Sequence, residues 1–166
     1  GIGFANLTDV QIADFVAQIQ VAVKMYQLDG IHLRDEGAGY DKTGAPELDE
    51  TSYPKLVKAL REAMPDIMLT LADDGGTTAM MDKEQGGIVV GDYIDLAWNV
   101  VWDTAVNPWA SGSERKPIAG VTKERYGGIS FYIKPRMTNE EGLFFENLQD
   151  ESRIIALNEG LGKVAV

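Results

Sequence analysis

Apolar residues recur at steps of three and four through Ile12, Phe15, Val16, Ile19, Val23 and Tyr26, which predicts one amphipathic helix running to about Gln27. Thr8-Asp9-Val10-Gln11 stands before it as a capping box, with Thr8 capping and Gln11 reaching back. Leu28-Asp29-Gly30-Ile31-His32-Leu33 follows in the place of a strand after a helix. Residues 37–49 hold three glycines and a proline and read as a loop. A second helix starts near Ser52 with Pro54 in its first turn, carries the stripe Leu56, Val57, Leu60 and Met64, and ends at Pro65.

Ile67-Met68-Leu69-Thr70-Leu71-Ala72 is a continuous apolar run between Pro65 and Asp73-Asp74-Gly75-Gly76, the pattern of a strand buried on both faces. Tyr93-Ile94-Asp95-Leu96-Ala97-Trp98-Asn99 and Gly128-Ile129-Ser130-Phe131-Tyr132-Ile133 predict two more strands, and residues 150–161 are weakly helical. This alternation of helix and strand predicts an α/β fold with parallel strands. No repeat of 20–50 residues and no linker interrupts it, so residues 1–166 are read as a single domain, or a piece of one.

Composition narrows the function. With 15 Lys plus Arg against 26 Asp plus Glu, the net charge is −11, which would repel the phosphates of a nucleic acid and an anionic membrane surface. There is no cysteine, so disulfides, thiolate catalysis and Cys-ligated metals are excluded. The single histidine, His32, leaves no room for a multi-histidine metal site, and no apolar run reaches the 18 residues of a membrane span. The opening Gly1-Ile2-Gly3-Phe4 lacks the basic region of a signal peptide.

Polar groups gather just past the apolar runs: Arg34, Asp35 and Glu36 after the first, Asp73 and Asp74 after the second, and Asn99, Trp102 and Asp103 after the third. Parallel α/β sheets bind ligands at the C-terminal ends of their strands. The alternative for Asp73-Asp74-Gly75-Gly76 is a plain turn.

The segment Leu28-Asp29-Gly30-Ile31-His32-Leu33-Arg34-Asp35-Glu36 resembles the signature Asp-Gly-x-Asp-x-Asp-x-Glu of glycoside hydrolase family 18, in its endo-β-N-acetylglucosaminidase branch. Gly3-Phe4-Ala5-Asn6, Leu60-Arg61-Glu62-Ala63-Met64-Pro65-Asp66 and Tyr93-Ile94-Asp95-Leu96-Ala97-Trp98-Asn99 are similar to further stretches of that branch in the same order, and Gly127-Gly128-Ile129 continues the match loosely. The resemblance implies a (β/α)8 barrel, represented here from about strand three onward, since a complete barrel takes about 250 residues. A partial barrel exposes sheet edges and is expected to self-associate.

The resemblance also assigns roles. Glu36 stands where the family has its general acid, and the position two residues earlier holds the aspartate that orients the substrate's own N-acetyl group, the substrate-assisted exception to the two-carboxylate scheme. Here that position is Arg34, and the outer aspartate of the motif is His32. A guanidinium favours the charged form of a neighbouring carboxylate and brings only donors, so it cannot accept the acetamido N–H. Residues 32, 34 and 36 share one face of an extended strand. The expectation is that they sit near Asp73 and Asn99, with Asp35 turned to the opposite face. His32 is either a compensating proton acceptor or an interior histidine paired with Glu36 or a backbone carbonyl.

Trp98, Trp102, Trp109, Tyr40 and Tyr132 are candidates for a sugar platform, with Trp98 equally able to serve as packing. The implied function is recognition of a glycan or glycoprotein containing N-acetylglucosamine, through Glu36, His32, Arg34, Asp73, Trp98, Asn99 and Tyr132, with hydrolysis impaired. The alternatives are an active glycosidase with Glu36 as general acid, and an interaction domain without a sugar site. No metal or organic cofactor is implied, and the resemblance implies an extracellular, periplasmic or cell-surface location.

Overall fold

A computed structural model describes residues 1–101 and 116–131 of the chain. A short 3₁₀ turn, Phe4–Asn6, leads into helix α1 (Asp9–Tyr26), strand β1 (Gly30–Leu33), helix α2 (Ser52–Ala63), strand β2 (Met68–Asp73), strand β3 (Leu96–Val101) and strand β4 (Tyr126–Phe131). The strands form one sheet in the order β1-β2-β3-β4, and every pairing is parallel. The α/β class and the parallel sheet expected from the alternation are therefore present. The expected helix over residues 150–161 lies outside the described residues.

Local chemistry sets the element ends. The capping box of α1 forms as expected: the Thr8 hydroxyl accepts from the Gln11 N–H at 3.3 Å and the Gln11 amide oxygen accepts from the Thr8 N–H at 2.8 Å. The helix closes at Gln27 in the left-handed conformation, and Leu28 donates its N–H back to Val23 at 3.0 Å. That bond takes Leu28 out of β1, which starts two residues later than the apolar run suggests. Gly30 is needed there, because a Cβ would meet the Met68 carbonyl oxygen at 2.3 Å.

Strand β3 also starts late. Tyr93 donates its N–H to Val90 in a 3₁₀ turn, and the Asp95 carboxylate accepts from Arg61 at 2.6 Å and from the Leu69 N–H at 2.7 Å. The approach to the strand is thereby used as a clamp on α2 and β2. Residues 74–95, between β2 and β3, contain the 3₁₀ turns Thr77–Met81 and Val90–Asp92 where a helix would complete a regular βαβ unit.

The core lies between the sheet and the two helices. Leu33, Leu69, Leu71 and Ala97 meet Ile12 and Val16 of α1 and Tyr53, Leu56, Val57 and Leu60 of α2. Leu56, Val57 and Leu60 have no exposed surface, as the stripe on α2 predicts. Strand β2 is buried at every position after Met68, as expected for a central parallel strand.

Leu60→Ala should therefore destabilise the protein by about 2–5 kcal/mol, against about 1 kcal/mol for removing the α1 cap with Thr8→Ala. Urea unfolding of both variants measures the pair. Equal effects would place the core elsewhere.

Candidate functional site

Strand β1 hydrogen-bonds to β2 with His32 opposite Thr70 and Leu33 opposite Leu71. Strand β2 continues the rows, with Thr70 opposite Leu96, Leu71 opposite Ala97, Ala72 opposite Trp98 and Asp73 opposite Asn99. Side chains alternate between faces along each strand. One face therefore carries His32, Thr70, Ala72 and Trp98, and the other carries Leu33, Leu71 and Ala97 against the helices.

On the first face, the His32 Nδ1 and the Thr70 hydroxyl lie 2.8 Å apart. Thr70 is the partner of His32, in place of the expected Glu36 or backbone carbonyl, and the histidine is exposed rather than interior. The Arg34 Nε stands 3.0 Å from the Glu36 Oε2 in an ion pair just past the end of β1. Arg34 is half-buried and Glu36 exposed. Trp98 is half-buried on the same face, one strand beyond Thr70.

Asp73 and Asn99 are buried, and the register sets them on the other face from His32. Each lies two residues beyond Leu71 or Ala97, and two steps along a strand return to the same face, so both continue the row that packs on the helices. Only His32 of the three motif residues lies within β1, so the register sets its face apart from that of Asp73 and Asn99. Tyr132, Trp102, Asp103 and Trp109 lie outside the described residues.

The strand ends are organised by a residue that sequence patterning passes over. Asp35 accepts from the Phe4 N–H at 3.1 Å, from the Tyr40 hydroxyl at 2.5 Å and from the Thr77 hydroxyl at 2.7 Å. One carboxylate thus ties the N-terminal turn, the loop after β1 and the loop after β2. Burial and the bond to Asp35 push the Tyr40 phenol well above its ordinary range. Tyr40 in turn accepts from the Ala5 N–H at 3.0 Å. The signal available in the sequence was positional: the expectation that Asp35 faces away from Arg34 and Glu36 already separates it from them.

Asp73 accepts from the Thr78 hydroxyl at 2.7 Å and from the Tyr126 hydroxyl at 3.1 Å, and Tyr126 also accepts from the Ile118 N–H at 2.7 Å. Asp74 takes the turn-forming role, its Oδ1 accepting from the Gly76 N–H at 2.8 Å, with Gly75 at φ +76°. Beneath this cluster Tyr53 is fully buried, and its hydroxyl has no hydrogen-bond partner among the described residues. Burial first, then the charges of Asp35 and Asp74, raise that phenol far above its ordinary range. Among the described residues no group of three or more His, Asp or Glu side chains is arranged to hold a metal ion.

His32 is exposed, but partial desolvation first, and then the charge of Arg34, hold its imidazole below its ordinary value of 6.5. The folded chain therefore binds the proton less readily than the unfolded one, and this residue subtracts stability as the pH falls below about 6.5. An NMR titration of the ring should show a midpoint below 6.5, and Arg34→Gln should move it upward. An unchanged midpoint would show that the guanidinium does not act on His32.

The sequence and the fold were compared with known proteins. No family model matches the chain. A curated relative, an endo-β-N-acetylglucosaminidase of Flavobacterium sp. (strain SK1022), is 30% identical over 120 residues, which is 72% of this chain and 38% of the relative. Two crystal structures of EndoBT-3987 from Bacteroides thetaiotamicron share the fold over 89% of this chain. The structure with Man5GlcNAc product has a TM-score of 0.53 at 20% identity and is covered over 39% of its length. The complex with Man9GlcNAc2Asn substrate has a TM-score of 0.54 at 18% identity and is covered over 41%. The chain thus spans about two fifths of the proteins it matches. Over the stretch it shares with them, it belongs to the endo-β-N-acetylglucosaminidase-like proteins.

Proposed function

We propose that this chain recognises glycans containing N-acetylglucosamine, as part of a family 18 type (β/α)8 barrel acting outside the cytoplasm, and that its hydrolytic step is impaired. The observation that carries this reading is the ion pair between Arg34 and Glu36. In the signature that residues 28–36 resemble, the first of these positions orients the substrate's acetamido group and the second protonates the departing glycosidic oxygen.

The pair is unsuited to both tasks. The Glu36 oxygen that a general acid would turn toward the glycosidic oxygen is instead directed at the Arg34 guanidinium. The Arg34 side chain has no acceptor for the acetamido N–H. Asp35 cannot replace it, because its oxygens are held by Phe4, Tyr40 and Thr77. His32 can accept a hydrogen bond as a neutral ring, but its Nδ1 is engaged with Thr70. What remains is a surface suited to binding: the Trp98 ring and His32 on the same face of the sheet, with Thr70 and Ala72 of the strand between them. A pyranose stacks its C–H face on such a ring while its hydroxyls take the polar groups.

The reading is tested by replacing the charge at one position. The unaltered protein should bind a chitobiose-containing glycopeptide without measurable turnover. Arg34→Asp restores an acceptor for the acetamido N–H and removes the counter-ion of Glu36. A positioned general acid contributes typically about 10²–10⁴-fold, so cleavage should rise by at least about a hundredfold. Adding Glu36→Gln to that variant should abolish the gain. Turnover of the unaltered protein at about 1–10 s⁻¹, an ordinary enzyme rate, would overturn the impairment. No binding heat up to millimolar glycan would overturn recognition itself.

A further inference from the structure

The His32 Nδ1 and the Thr70 hydroxyl, 2.8 Å apart, can be joined in two ways. Either the ring donates from Nδ1 to the hydroxyl oxygen, or the hydroxyl donates to an unprotonated Nδ1 and the neutral imidazole carries its hydrogen on Nε2. Nε2 has no partner among the described residues. The direction of the bond to Thr70 therefore decides whether this second nitrogen offers a ligand an acceptor or a donor.

The burial of Thr70 decides between them. Thr70 is 7% exposed on a central strand, and among the described residues the ring nitrogen is the one partner of its hydroxyl. Were Nδ1 to donate, the hydroxyl hydrogen would stay buried without an acceptor, which costs more than an ordinary hydrogen bond gains. With the hydroxyl as donor, Thr70 is satisfied. The hydrogen on Nε2 then belongs to an exposed side chain, where water or a ligand can take it. The imidazole is held below its ordinary value of 6.5, so near neutral pH Nδ1 keeps the lone pair that this bond needs.

This inverts the chemistry of the strand end. In the signature that residues 28–36 resemble, positions 32 and 34 are aspartates, whose carboxylates only accept. Here they are His32, donating from Nε2, and Arg34, whose side chain has donors alone. An acetamido group carries both an N–H donor and a carbonyl acceptor, and from these two positions it can be met only at its oxygen. We propose that His32 binds the acetamido carbonyl oxygen of N-acetylglucosamine through Nε2–H, with Thr70 as the positioning residue that holds the ring in the donating tautomer. The identity of the ligand rests on the glycan reading above, whereas the tautomer rests on the contact between β1 and β2.

Long-range proton–nitrogen NMR of the full chain near neutral pH should show hydrogen on Nε2 and none on Nδ1, and Thr70→Val should admit the other tautomer. Calorimetry then compares diacetylchitobiose with its N-trifluoroacetyl analogue, whose fluorines weaken the carbonyl as an acceptor and strengthen the N–H as a donor. The analogue should bind at least about threefold more weakly. His32→Ala should lose about three- to tenfold in affinity for the natural sugar and erase the difference between the two sugars. His32→Gln, which places an amide N–H near the position of Nε2, should keep both. Circular dichroism with thermal melts verifies that each variant folds. Tighter binding of the analogue, or an unchanged affinity in His32→Ala, would overturn the proposal. No heat with either sugar up to millimolar concentration, beside the expected tautomer, would overturn the glycan reading and with it the ligand role of His32. Heat accompanied by hydrogen on Nδ1 would overturn the donor and leave that reading standing.

Discussion

The parallel register of β1, β2 and β3 is the constraint on which the rest of the structure depends. Once Leu33, Leu71 and Ala97 stand in one row against the helices, the two-residue period of a strand assigns every neighbouring side chain to a face. His32, Thr70 and Trp98 are placed on the face away from the helices, and Asp73 and Asn99 on the helix side. A slip of one residue would exchange these sets and put leucines where the polar groups stand. Burying the leucines thus gives the candidate site its composition.

At the C-terminal ends of the strands the acidic residues are satisfied by neutral donors. Asp35 takes two hydroxyls and an N–H, and Asp73 takes two hydroxyls. Charge-assisted bonds of this kind are short and directional, and here they connect loops distant in sequence. Phe4, Tyr40 and Thr77 converge on one carboxylate, which holds in place the residue on each side of it, Arg34 and Glu36. The acidity of this end of the sheet therefore serves architecture first. It also explains why several carboxylates lie close together without forming a set that could hold a metal ion among the described residues.

Much of this architecture is legible in the sequence, because its cause is local. The capping box at Thr8, the α2 stripe and the unbroken apolar run of β2 each depend on residues a few positions apart, and each forms where expected. The errors come from backbone bonds that patterning does not register. Leu28 and Tyr93 look like strand residues but spend their N–H groups on closing turns. The face that Asp73 and Asn99 take is not legible for another reason. Proximity to the end of a strand is visible in sequence, whereas the face depends on pairing with a partner some 26 residues away. Asp35 shows the same limit: its three partners lie in three separate segments, and no spacing rule brings them together.

The exchange of carboxylates for His32 and Arg34 alters the electrostatics of the strand end as a unit. Three acidic groups on one face of a short strand repel one another, and the strain is relieved when one of them holds a proton, which is what a general acid requires. Here the end of the strand carries a guanidinium, a carboxylate paired to it and an imidazole whose pKa is lowered by partial desolvation and by Arg34. The set is internally consistent: Arg34 supplies the counter-ion of Glu36 and keeps His32 neutral, and neutral His32 stays free to bond with Thr70.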